Sequence, residues 1–143
     1  MKKSMVIVNP VSANGRTGRN WPRIDKELRN AGLTFDAQLT SKSGEAVQLT
    51  RKAIQEGYPT VIAVGGDGTL NEVLNGFFES DDARPINPEA RLGLIPSGTG
   101  KDFIKAINYP RDIRHVCRTL ARNQIRTIDI GLAWFRDAEG KRT

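Results

Sequence analysis

Gly65, Gly66, Asp67, Gly68 and Thr69 stand together in VIAVGGDGTLNEVLNGF, between an apolar run and a helix-like pattern. Glycines accept positive φ and carry no Cβ, so amide N–H groups can converge on a phosphate. Thr69-Leu70-Asn71-Glu72 fits a capping box, which would start a helix at Thr69. The positive end of that helix would favour an anion in the same space. Asp67 is out of character there, because a carboxylate repels a phosphate. Its presence suggests Mg²⁺, which neutralises both, or a proton to be taken from an attacking hydroxyl. The plainer reading is a strand-to-helix turn with Asp67 bonded to its own loop amides.

Two more loops carry similar residue types: Asn9, Pro10, Val11, Ser12, Ala13, Asn14 and Gly15; and Pro96, Ser97, Gly98, Thr99, Gly100, Lys101 and Asp102. Two familiar templates fail. Gly66-x-Gly68 continues to Asn71, where a dinucleotide fingerprint needs glycine. SGTGKD has Ile95 at the first glycine of a Walker A loop and Asp102 in place of its Ser/Thr.

These loops need rigid elements to hold them. Apolar runs predict strands at 5–8, 34–39, 60–64, 92–95 and 125–130. Helical patterns lie between them. One is capped by Asn20 with Pro22 in its first turn and ends at Gly32; one is capped by Ser43 and ends at Gly57. Others cover 69–78, the neighbourhood of 101–107, and 113–120; residues 80–88 read as a loop. Alternating strands and helices predict an α/β fold, a parallel-sheet sandwich with helices on both faces. In such a sheet all three loops fall at the carboxyl ends of strands, where ligands collect.

The totals agree. The chain has 143 residues, 38% hydrophobic and 27% charged, which suits one soluble domain with a core. No run approaches the roughly 20 apolar residues of a membrane span, and the start is too short for a signal peptide. The single cysteine, Cys117, fits a reducing compartment. One cysteine and one histidine argue against zinc. We therefore expect a cytoplasmic protein. The net charge is +6; residues 101–143 hold ten Lys/Arg against five Asp/Glu, so in sequence order the basic character belongs to the tail.

NPVSANGRTG, VGGDGTLNEVLNGF, LGLIPSGTGKDFIKAINYP and IDIG, in this order, resemble the catalytic domain of the diacylglycerol kinase family, the bacterial soluble lipid kinases above all. The resemblance runs from Val6 to about Gly131. It implies ATP-dependent phosphorylation of a lipid hydroxyl, in a cleft between this domain and a β-rich one. By position it implies that Asn9, Pro10, Val11, Ser12, Ala13, Thr40, Gly65, Gly66, Asp67, Gly68, Thr69, Leu70, Asn71, Glu72, Ser97, Gly98 and Thr99 line the nucleotide. Asp67 would be the catalytic carboxylate, and Asp102 and Asp129 would support the polar and Mg²⁺-organising network. Lys101 stands where the family usually has asparagine.

The expected division is residues 1–130 as nucleotide-binding domain and 131–143 as the start of a lipid-binding domain that is otherwise missing. Gly131, Leu132, Ala133, Trp134 and Phe135 alternate toward a hairpin turn at Asp137, Ala138, Glu139 and Gly140, and the returning arm is absent. A fragment of this kind should turn over lipid poorly or not at all. Expected partners are ATP, a lipid at the membrane surface and the chain's own second domain. A homodimer is left open, and nucleic acid is not expected, since aromatics are few and no binding motif is present.

Other features read as ordinary. Arg111, Arg114, Arg118 and Arg122 lie at helical spacing opposite Ile113, Val116, Cys117 and Leu120. That is a solvated helix face, or one drawn to anionic lipid heads. Cys117 reads as core; His115 shows no partner; Trp21 and Trp134 read as packing. Two alternatives to the lipid kinase stay open: a related kinase with a soluble acceptor such as NAD, and a non-catalytic nucleotide-binding module.

Overall fold

A computed structural model describes residues 3–79, 83–98, 102–134 and 138–139. Four parallel strands form one sheet in the order β2-β1-β3-β4: β1 Ser4–Val8, β2 Phe35–Leu39, β3 Thr60–Gly65 and β4 Arg91–Pro96. Val6 pairs with Ala37 on one side and Ile62 on the other, and Ile62 pairs with Gly93. β1 and β3 have neighbours on both sides, and Val6, Val8, Ile62 and Val64 are fully buried. This explains their unbroken apolar sequence, since both faces of the sheet are covered.

Helices α1 Arg16–Asn30 and α5 Ile113–Ala121 cover one face; Ile24, Leu28, Val116 and Cys117 pack there on Val6, Val8, Ile62 and Val64. Helices α2 Glu45–Gln55, α3 Asp67–Asn75 and α4 Asp102–Ala106 cover the other. Ala46, Ala53, Leu70, Val73 and Ile104 meet Met5, Ile7, Val61 and Ala63. The expected α/β sandwich is the observed one.

Several boundaries differ from the sequence reading. Helix α1 begins at Arg16, not after Asn20, and Pro22 lies inside it. Ala13, Asn14 and Gly15 all have positive φ and turn the chain into the helix early. Helix α2 starts after Gly44 (φ 80°), not on a Ser43 cap. Helix α3 starts at Asp67 after Gly66, so Thr69 is no cap and the capping box does not form. Asp112 caps α5 by accepting from the His115 amide.

Residues 125–130 form no strand. They are exposed and outside the sheet, and so is 131–134. A strand exists only through a paired neighbour, and the β4 edge has none there among the described residues. Ala138 and Glu139 lie in a turn; Asp137 and Gly140, the other residues of the expected hairpin, fall outside the described residues. Helix α3 ends at Asn75, so Phe78, expected in that helix, lies beyond it and bridges Pro85, a residue of the expected loop, in antiparallel fashion.

Burial pushes the Cys117 thiol up to about 11 and the Tyr109 phenol up to about 12. Both groups fold in their neutral forms. Each therefore supports the fold fully below its unfolded-state value and less as pH rises toward the folded one. Melting temperature should thus decline above roughly pH 9. At pH 8 a thiol reagent should modify Cys117 only at the rate of opening. Rapid labelling of the folded chain would contradict that burial.

Candidate functional site

The strand order reverses direction between β1 and β3: β2 lies to one side, β4 to the other. In parallel sheets this reversal opens a crevice beyond the carboxyl ends of the strands. The loop after β1, the β3–α3 corner and the loop after β4 all leave the sheet at that edge.

Asn9 ties the first loop to the corner. Its Nδ2 donates to Thr69 Oγ1 over 3.1 Å, its Oδ1 accepts from the Val11 amide at 3.2 Å, and its own amide donates to the Val64 carbonyl. Thr69 is buried because the early start of α3 turns its side chain toward the sheet. Pro10 accepts from the Gly18 amide, and Ser12 from the Thr17 amide. The third loop docks through the Ser97 amide, which donates to the Gly65 carbonyl at 2.9 Å. Gly98 lies so close to Gly66 that a Cβ at Gly98 would stand 2.4 Å from the Gly66 Cα. A Cβ at Gly65 would meet Thr69 Oγ1 at 2.4 Å. Two of the glycines are therefore demanded by packing. Gly68 is different: its Cβ direction is open space.

The amides of Asp67, Gly68 and Thr69 head helix α3 and have no acceptor among the described residues. They are the donors that a helix start leaves free. One Asp67 carboxylate oxygen accepts from the Asp102 amide at 3.2 Å, joining the corner to α4. Asp102 itself is exposed, and Lys105 lies 3.7 Å from it. Glu72 reaches across to α2, where it accepts from the Gly44 amide at 3.0 Å. Its side chain thus stabilises the start of a neighbouring helix instead of its own.

A shallow cavity of about 120 Å³ lies between these elements. Asn9, Val11, Thr40, Thr69 and Glu72 line it, together with Ser41, Lys42, Ser43 and Ala46, which the sequence reading left out. Thr40 is held by its amide to the Val8 carbonyl at 2.9 Å. Of the other expected residues, Leu70 packs in the core and presents only its backbone to the corner. Asn71 is exposed, its carbonyl taken by Asn75. Ala13 contributes a left-handed turn. Asp129 is exposed in the tail and makes no bond to the site among the described residues, so the structure does not gather it with Asp67. Thr99 and Lys101 lie outside the described residues.

Thr17 is the residue that sequence reasoning missed. It is fully buried. Its hydroxyl lies 2.5 Å from Ser12 Oγ and 2.9 Å from Ser97 Oγ, and donates to the Ser97 carbonyl. It clasps the first loop to the third, 80 positions away. Only its place beside NPVSANG hinted at such a role. Thr17→Val should strand these partners and cost about 1–3 kcal/mol of stability. Thr17→Ser should recover most of the loss; equal melting temperatures for Thr17→Val and the unaltered chain would refute the clasp.

These features define a class: an α/β domain whose switch-point edge is made of glycine-rich loops with Asp67 and Glu72 beside them. The chain belongs to the diacylglycerol kinase catalytic domain family, whose model matches residues 3–133. A curated diacylglycerol kinase from Staphylococcus saprophyticus is 36% identical over 130 residues, covering 91% of this chain and 41% of that protein. One from Staphylococcus aureus strain bovine RF122 is 38% identical over 130 residues, covering 91% and 39%. A solved diacylglycerol kinase from Bacillus anthracis str. Sterne superposes with a TM-score of 0.66 at 27% identity, over 86% of this chain and 43% of that one. The chain thus spans about two fifths of the length of the relatives it matches. Among the described residues, no helix is long and apolar enough to cross a membrane.

Proposed function

We propose that this chain is the nucleotide-binding half of an ATP-dependent lipid kinase, in which residues 1–130 hold the nucleotide and 131–143 lead into a lipid-binding domain. One observation carries the reading. Three loops, tied together by Asn9–Thr69, Ser97–Gly65 and Gly98–Gly66 contacts, surround the free amides of Asp67, Gly68 and Thr69. Such amides at a helix start suit phosphate oxygens. The cavity is smaller than the roughly 300–1,000 Å³ of common ligand sites, which fits a cleft completed by a second domain.

The donor set also bears on Mg²⁺. Among the described residues no three carboxylates, histidines or cysteines gather into a metal cage. Asp67 and Asp102 adjoin through a backbone bond. That fits a cation carried by the triphosphate and touched by one or two carboxylates, the usual habit of Mg²⁺. Bound there, it would neutralise charge on the transferring phosphoryl group. The chain's own part is positional. The amides orient the phosphates. Asn9 and Thr69 fix the corner. Asp67 accepts the proton of the lipid hydroxyl as that oxygen attacks the γ-phosphorus in line; the bond from that phosphorus to the β–γ bridging oxygen breaks and ADP leaves.

The test is transfer of label from ATP to diacylglycerol in vesicles, with NAD as the competing acceptor. Labelled phospholipid supports the reading, and labelled NAD in its place refutes the lipid acceptor. The 143-residue chain alone should turn over lipid poorly or not at all; full turnover by it would overturn the role given to a second domain.

A further inference from the structure

Helix α4 is short, and both of its ends are tied to something outside it. Its five residues make a rod of about 8 Å. At the start, the Asp102 amide donates to an Asp67 carboxylate oxygen at 3.2 Å. At the end, the chain closes on itself. The Ile107 amide donates to the Phe103 carbonyl, the Asn108 amide to the Lys105 carbonyl and the Tyr109 amide to the Ile104 carbonyl. Asn108, with φ 52°, makes that turn. The Ile107 carbonyl stands outside those bonds, and Arg126 Nη1 donates to it at 3.1 Å from 19 positions further on. A cationic donor is the kind that carbonyls at a helix end favour.

Between its ends the rod has one deep anchor. Ile104 is buried in the core that also holds Leu70 and Leu94, whereas Asp102, Lys105 and Ala106 are exposed. Just past the helix, the Tyr109 phenol donates to the Leu94 carbonyl of β4 at 2.8 Å. The freedom left is a small tilt about Ile104, and a tilt at one end of a rod is felt at the other. Arg126 stands at the base of a segment whose Ile128, Ile130, Leu132 and Trp134 are all exposed. Covering such apolar surface is favourable, and whatever covers it acts on the residue at its base.

We propose that Arg126 is a positioning residue for Asp67: it holds the end of α4 and thereby sets where the Asp102 amide meets the Asp67 carboxylate. The consequence for phosphoryl transfer rests on the kinase reading above; the coupling itself does not. Asp67 has two carboxylate oxygens. The Asp102 amide fixes one, which leaves the other to face a hydroxyl. Loss of the Arg126 bond lets α4 tilt and Asp67 rotate. The state of the tail is thereby felt at the acidic corner.

The test is NMR of the labelled 143-residue chain, following the Asp102 amide and the Asp67 side-chain carboxyl carbon. Arg126→Met removes the donor and keeps an unbranched stem; Arg126→Lys keeps a cationic donor. Arg122→Met, at the cap of α5, is the control. Melting curves verify that all three fold. In Arg126→Met the ratio of bonded to free Asp102 amide should fall roughly threefold or more. Its proton should move upfield, with an accompanying shift at the Asp67 carboxyl carbon. Arg126→Lys should restore most of both signals, and Arg122→Met should leave both in place. Coupling runs in both directions, so Asp67→Ala should move the Arg126 Nε signal. Unmoved Asp102 and Asp67 signals in Arg126→Met, or equal changes in Arg122→Met, would overturn the proposal and reduce the bond to a tie that only adds stability. An ATP analogue that shifts no amide of the corner, while Asp102 still answers to Arg126, would defeat the nucleotide reading and leave the coupling standing.

Discussion

Gly98→Ala should cripple both the fold of the ligand edge and its affinity for nucleotide. The new methyl would sit 2.4 Å from the Gly66 Cα and 2.8 Å from the Gly66 nitrogen. Both are backbone atoms, so no side chain can swing aside. One loop must move off the other, and overpacking of this kind costs about 1–3 kcal/mol. For a domain of this size each kcal/mol lowers the melting temperature by about 2–4 °C. Nucleotide binding should weaken on the order of tenfold or more, since about 1.4 kcal/mol is enough for that factor. Gly68→Ala is the informative contrast. Its methyl would meet nothing within 4 Å and it lies in the first turn of α3. The chain should be as stable as before, or more so by about 0.5–1 kcal/mol. If a phosphate approaches those amides, affinity should still fall, because only the ligand would touch the added carbon. Unchanged nucleotide affinity in Gly68→Ala would place the phosphate elsewhere.

Asp67→Asn should abolish most phosphoryl transfer while leaving the fold intact. Asparagine keeps an oxygen that can accept from the Asp102 amide, so the link between α3 and α4 survives. It loses the favourable charge in the first turn of α3, a cost of about 0.3–1 kcal/mol. Removal of a general base lowers turnover by roughly 10²–10⁴-fold. The comparison requires conditions in which the unaltered protein turns over measurably. A variant with near-native kcat would remove Asp67 from the chemistry and return it to the structural role of a loop acid.

Much of this architecture can be read from residue types, and the reason is local. Strands β1 and β3 are buried on both faces, so they are written as unbroken apolar runs. Gly32 and Gly57 end their helices with positive φ, as their positions imply. Helix starts were less legible. Asn20, Ser43 and Thr69 have side chains suited to capping, yet Gly15, Gly44 and Gly66 occupy the caps. Each start is fixed by what the preceding loop packs against, which is long-range information. The tail shows the same limit from the other side. Ile128, Ile130 and Leu132 have strand-like alternation, but alternation does not supply a neighbour to pair with.

At the site, the glycine corner and its two companion loops were legible because glycine at close approach leaves a mark in sequence. Their interdependence was not. Thr17 and Ser97, or Asn9 and Thr69, meet only after the sheet brings distant loops to one edge. Charge behaved likewise. In sequence order it accumulates in the tail, yet in the fold the basic residues of α1 join those of α5 on one face.

The most direct test of the central claim is an amide NMR titration of the chain with a non-hydrolysable ATP analogue and Mg²⁺. The account predicts the largest shifts at the amides of Gly66, Asp67, Gly68 and Thr69, with smaller ones at Asn9 and Ser97. Shifts confined to the hollow around Lys3, Glu56, Gly57 and Tyr58, or none at saturating analogue, would contradict it.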